Sequence, residues 1–217
     1  MLSLFLVMFQ YPLIFKIVCG RSYALEVTAA ILADQCPDAS SWPNCKMSSK
    51  TFSTFTYHLQ EMSSYQAISF SPILKTTDIS TYETFSTDFW EESGFGNYNI
   101  SENIFARTQD GDVYREFDTS SSKGIYDIVV PVFQISPIES NYGAVLFNIY
   151  SEENRARTID YAISANSTLP STGISEFIYL IQDDDQNTPA SLIMHPIVPL
   201  NDNTTVGLAV GVLRYRK

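Results

Sequence analysis

Residues 50–74 read Lys50-Thr-Phe-Ser-Thr-Phe-Thr-Tyr-His-Leu-Gln-Glu-Met-Ser-Ser-Tyr65, then Gln66-Ala-Ile-Ser-Phe-Ser-Pro-Ile-Leu74. The period of the apolar residues changes between the two halves. In the first, Phe52, Phe55, Leu59 and Met62 recur at spacings of three and four, one stripe of a helix, and Ser48 or Ser49 stands ready as its N-cap. In the second, Ile68, Phe70 and Pro72 alternate with Ala67, Ser69 and Ser71, the period of a half-buried strand, and the proline places that strand's end at a sheet edge.

Working outward, Asp78 predicts the N-cap of a helix from Ile79 to about Glu92 with Tyr82, Phe85, Phe89 and Trp90 on its inner side. Asp110-Gly111 between Ile104–Gln109 and Asp112–Phe117 is a hairpin signal. Ile125–Ile135 and Tyr142–Tyr150 read as long strands joined by residues 136–141, and Ser151 with Glu152 and Glu153 opens a helix to about Ala165. Three strand-like runs close the chain, Phe177–Gln182, Ser191–Leu200 and Thr204–Tyr215, with a polar loop over Asp183–Pro189. Upstream, Leu25–Ala33 is a short helical pattern that stops at Cys36. The order predicts an α+β domain on antiparallel sheet, and the missing βαβ alternation argues against the Rossmann class.

Composition narrows the function. The chain has 217 residues, 45% of them hydrophobic, with 14 Phe and 13 Tyr, which suits a packed core rather than a disordered tail. Its formal net charge of -11 disfavours nucleic acid as a partner; the one dense basic cluster is Arg214, Arg216 and Lys217. Residues 1–20 form an apolar leader interrupted by Gln10, Pro12 and Lys16, read as a signal peptide or a signal anchor. Either reading puts the rest of the chain outside the cytoplasm, on the extracellular side of the plasma membrane or secreted. Cys36 and Cys45 close a loop of turn-forming residues suited to a disulfide, with two separate buried thiols as the other reading. Asn99, Asn166 and Asn203 begin glycosylation sequons in polar stretches.

The chemical motifs fail when tested residue by residue. His58-Leu-Gln-Glu61 lacks the second histidine of a zincin, and His195 stands alone between Met194 and Pro196. Asp183, Asp185 and Asn187 imitate the start of a calcium loop, but Thr188 replaces the turn glycine and Met194 the bidentate Glu. No serine elbow and no phosphate loop occurs. The sequence therefore implies no enzyme activity, no metal and no cofactor.

Three segments carry a family resemblance: Ser41-Trp-Pro43 ahead of Ala67-Ile-Ser-Phe-Ser-Pro-Ile73, then Val130-Pro-Val-Phe-Gln-Ile-Ser-Pro137, then Ser191-Leu-Ile-Met-His-Pro-Ile-Val198 with Val206-Gly-Leu208. Their order resembles the extracellular sensor regions of the CHASE class, found in receptor-type nucleotide cyclases and histidine kinases, and closest to protist and algal receptor guanylate or adenylate cyclases. The resemblance implies an N-terminal helical stalk over residues 21–65 and a PAS-like sheet domain with flanking helices over 66–217. It also implies a ligand pocket, a membrane span on each side, a homodimer and a cytoplasmic cyclase or kinase. The chain departs from that plan in its short stalk and in stopping at Lys217, so the expectation is a partial chain or a detached sensor. Val129 stands where cytokinin-binding members have a Thr, so an adenine-type reader does not carry over, and Asn148 lies where an acidic residue often ends the next strand.

The leading functional expectation is a sensor whose pocket lies over the sheet, lined by Phe70, Tyr126, Ile128, Val130, Phe133, Gln134, Asn148 and Tyr150. Its ligand would be a small molecule or a peptide. The same residues also suit a core. The alternatives are a secreted interaction or adhesion protein, using the sheet edge, and a secreted hydrolase, for which no nucleophile and base can be named.

Overall fold

The computed structural model describes residues 12–95, 97–107, 112–115, 128–164, 172–176, 178, 180 and 189–215. Helix α1 runs from Pro12 to Gln35 and α2 from Ser49 to Ser63. Strands β1 (Ala67–Pro72) and β2 (Leu74–Lys75) lead to α3 (Ile79–Glu92). A hairpin of β3 (Phe105–Arg107) and β4 (Val113–Arg115) follows, then β5 (Ile128–Val129) and β6 (Gln134–Ser136). Helix α4 (Glu153–Ser164), β7 (Gly173–Ile174), β8 (Ala190–Ile197) and β9 (Gly207–Arg214) complete the order.

The main sheet is antiparallel with strand order β6-β1-β9-β8-β7, and two short strand pairs, β2 with β5 and β3 with β4, stand beside it. This is the expected α+β, PAS-like antiparallel domain behind an N-terminal helical region. Side-chain direction fixes the layers. A Cβ added at Gly211 would point into the Tyr65 ring, whose hydroxyl donates to the Arg21 carbonyl of α1 at 3.1 Å. A Cβ at Gly173 would meet Thr158 of α4. Gly173 pairs with Met194 and Gly211 with the neighbouring Ile193, and successive residues face opposite ways. Helix α1 and helix α4 therefore lie on opposite faces of the sheet.

Local chemistry explains most of the elements. α1 buries Ala24, Leu25, Thr28, Ala29, Leu32 and Ala33 along one face, and Thr28 donates to the Ala24 carbonyl at 2.8 Å. Pro37 follows its end, where the residue before a proline leaves the helical region. The Trp42 indole N–H caps the turn by donating to the Cys36 carbonyl at 3.1 Å. Cys36 and Cys45 form a disulfide with Cα atoms 6.0 Å apart, which settles the choice left open by the sequence. Closing so short a loop contributes about 2.5 kcal/mol through the unfolded chain. Reduction is expected to lower the free energy of unfolding by that amount, read as a fall in the urea midpoint; an unchanged midpoint would show that the loop is held by other contacts.

Ser48 caps α2 as expected, accepting from the Thr51 N–H at 3.2 Å. The stripe differs: Phe52, Thr56, Leu59 and Ser63 are buried, while Met62 is 70% exposed. Two of the four contact positions are hydroxyls, hidden from a hydrophobicity pattern because each donates to a carbonyl one turn back. Asp78 precedes α3 but makes no capping hydrogen bond; it accepts from Thr77 at 3.0 Å. Buried Glu83 instead ties α3 to the hairpin, accepting from the Ile104 N–H at 2.9 Å and from Arg115 at 2.8 Å.

Three expectations are corrected. β1 is not half-buried: it lies between β6 and β9 and all six residues are buried, although past Phe70 only β9 pairs it, so Pro72 does end the strand at an edge. Ile125–Ile135 is not one strand either, because Pro131, which has no N–H to give a ladder, separates β5 from β6. Tyr142–Tyr150 contains two 3-10 turns and isolated bridges from Phe147 to Phe105 and from Asn148 to Pro131. Leu146 adopts φ 66°, which turns the chain out of any regular strand while its N–H still reaches the Val132 carbonyl at 2.8 Å. The turn of the predicted hairpin, most of Phe177–Gln182 and residues 183–188 of the polar loop lie outside the described residues.

Candidate functional site

The residues expected to line a pocket over the sheet are packed core instead. Phe70, Val130 and Phe133 are fully buried, Gln134, Asn148 and Tyr150 nearly so, and Ile128 is half-buried. Tyr126 lies outside the described residues. The Gln134 amide is consumed by one backbone group pair: Oε1 accepts from the Met47 N–H at 3.2 Å and Nε2 donates to the Met47 carbonyl at 2.8 Å. Asn148 Oδ1 accepts from the N–H groups of Val130 (3.0 Å) and Tyr150 (3.1 Å), so it shapes the chain rather than reading a ligand. The Tyr150 hydroxyl donates to Asp160 at 2.6 Å. The gap beside Gln134, bordered by Phe52, Trp90 and Ile138, measures about 10 Å³, room for one water.

Phe133 sits inside a ring of aromatic side chains, with centroids 4.9 Å from Phe89, 5.4 Å from Phe85, 5.7 Å from Tyr82 and 5.9 Å from Phe70. On the buried side of α3 the Tyr82 hydroxyl, the Ser86 hydroxyl and the Trp90 indole N–H, one turn apart, have no hydrogen-bond partner among the described residues. Burial pushes the Tyr82 phenol far above its ordinary pKa, so it stays neutral.

An open concavity lies elsewhere, between α4 and the sheet edge at β7. It encloses about 320 Å³ and is lined by Asn154, Arg157, Thr158 and Tyr161 from the helix and by Thr172, Gly173, Ile174 and Glu176 from the strand side. α4 is a rigid wall: Arg155 is 3% exposed, pairs with Glu152 at 2.8 Å and lies over the Phe147 ring at 4.9 Å. The sequence did offer a signal here, since Asn154, Arg157, Thr158 and Tyr161 recur at helical spacing as a polar face.

Behind this edge runs a chain of hydrogen bonds to α1. His195 Nδ1 is 2.9 Å from the Thr172 hydroxyl, which is 3.2 Å from that of Ser22, which donates to Glu26 at 3.3 Å. A carboxylate can only accept, so the direction is set throughout: Ser22 donates to Glu26, Thr172 to Ser22, and the His195 Nδ1–H to Thr172. His195 is thus structural, as one of the two sequence readings had it, and His58 is an exposed residue of α2 edge-on to Tyr57, with ring centroids 5.6 Å apart.

Burial depresses the His195 pKa below its ordinary 6.5, and the nearby Glu26 charge opposes that in part. The unfolded chain then binds the proton more readily than the folded one, so this histidine's contribution is intact above 6.5 and declines as pH falls toward the folded value. Urea midpoints are expected to fall between about pH 7 and about pH 5 in the parent chain, and less so in His195→Gln. An identical decline in the variant would assign the effect to other groups.

Asn99 and Asn203 are exposed, while Asn166 lies outside the described residues. No described helix is long and apolar enough to cross a membrane.

An α+β domain on a five-stranded antiparallel sheet is what this sheet order and its packed helices define. The CHASE domain family matches residues 46–217, most of the chain, and the chain belongs to that family, whose members are sensor domains. No curated protein matches the chain.

Proposed function

We propose that the chain is the extracellular ligand-sensing part of a membrane receptor, with no chemistry of its own. It is held to the membrane through its N-terminal segment and a further span beyond Lys217, and it regulates a cytoplasmic nucleotide cyclase or kinase as a homodimer. The observation that carries this reading is α1, one continuous helix that leaves the apolar leader and lies along β8, β9 and α2 of a CHASE sheet. Such a helix gives a binding event at the sheet a direct route toward the membrane. The disulfide supports an oxidising compartment, and the ligand is a small molecule or a peptide.

The test is a thermal-shift screen of the full chain against metabolites and short peptides. A ligand at 100 times its Kd stabilises the folded state by about 2.7 kcal/mol, a readily measured shift. A screen across the whole library in which no compound raises Tm would remove the sensing role.

A further inference from the structure

The α4–β7 groove carries opposite charges on its two walls, Arg157 on the helix and Glu176 beyond the strand. Arg157 pairs with Glu153 one turn earlier, and the two side chains are 64% and 79% exposed. A pair so solvated holds weakly, and a ligand carboxylate able to accept two guanidinium N–H groups side by side replaces it. The Glu176 carboxylate has no ion pair among the described residues. A simple anion would meet Glu176 in this groove, and a simple cation would meet Arg157. The volume is at the low end of the roughly 300–1,000 Å³ of small-molecule sites.

From these features we infer that the groove binds a small zwitterion, carboxylate on Arg157 and ammonium on Glu176, and that Thr172 passes its occupancy to α1. This rests on the sensor reading and deepens it. Thr172 lines the groove, yet its side chain belongs to the other face of the sheet, where its hydroxyl stands in the chain of hydrogen bonds through Ser22 to Glu26. Gly173 lets the strand lie directly against Thr158; a Cβ there would come within 2.7 Å of Thr158 Cγ2. A ligand wedged between helix and strand therefore displaces β7 as a unit. Thr172 moves with it, and the 3.2 Å bond to Ser22 on α1 changes length.

Titration calorimetry of the full chain with the free amino acids, each compared with its N-acetylated form and its amine analogue lacking the carboxylate, tests the site. At least one free amino acid is expected to bind, with each capped form and each of Arg157→Gln and Glu176→Gln weakening it at least about tenfold. Both variants change exposed side chains and are expected to keep the parent circular dichroism. In the parent chain the ligand is expected to alter amide exchange across residues 20–35, and in Ser22→Ala, which removes the α1 partner of Thr172 and leaves the groove lining intact, still to bind but without that alteration. The inference fails if no amino acid binds, if binding survives both glutamine variants, or if exchange in α1 ignores the ligand. A library compound whose binding depends on Tyr82 or Trp90 and ignores Arg157 and Glu176 would overturn the groove while leaving the sensor reading standing. A library without any binder would remove both.

Discussion

Phe133→Ala is expected to lower the free energy of unfolding by about 4 kcal/mol, a large share of what holds a domain of this size together. The ring is fully buried and lies against aromatic rings of both β1 and α3. Its neighbours cannot close the space easily, because the Phe133 N–H donates to the Phe70 carbonyl at 2.9 Å and holds the backbone in place. The lost contacts and the residual cavity therefore both count. Met62→Ala, at a position 70% exposed, is the control and should fall within about 0.5 kcal/mol of the parent. Urea unfolding of the two variants decides the matter; a Phe133→Ala cost below about 1 kcal/mol would mean that the aromatic ring system repacks.

Gly211→Ala should cost about 3 kcal/mol for the opposite reason, overpacking. A Cβ there would lie 2.8 Å from Tyr65 Cδ1 and closer still to Cε1 and Cζ. The ring cannot swing aside freely, since it is buried and its hydroxyl bonds to the Arg21 carbonyl. Because the penalty belongs to a pair, the combination of Gly211→Ala with Tyr65→Leu is expected to be more stable than the sum of the two single losses predicts. Strict additivity in denaturant midpoints would show that the strain lies in the backbone of β9 and not against Tyr65.

How much was legible in the sequence follows from these packing facts. The helices at 49–63 and 79–92 were, because their apolar residues keep one period over three or more turns. So were β8 and β9, long β-prone runs bounded by Pro189 and by the turn at 201–205. Tyr142–Tyr150 was not, since its apolar residues record burial alone, and the decisive event is the positive φ of Leu146, a residue with no marked liking for that region. β7 is two residues long, below what a periodicity can show. A pocket over the sheet was not legible, because aromatic and amide residues look the same in a sequence whether they face a ligand or one another. Contacts such as the Gln134 bond to Met47, 87 positions away, are what separate the two.

The placement of β9 between β1 and β8 has a consequence for biosynthesis. The strand that fills the middle of the sheet is the last of the sheet's described strands in chain order, and until it arrives β1 and β8 each present an unpaired ladder. A nascent chain ending before Gly207 is thus two half-sheets with open edges, the state most prone to mispairing with other chains. Pairings such as Ala67 with Val212 also span most of the domain, which makes for slow closure. This strand works as a keystone, and closure of the sheet waits on it.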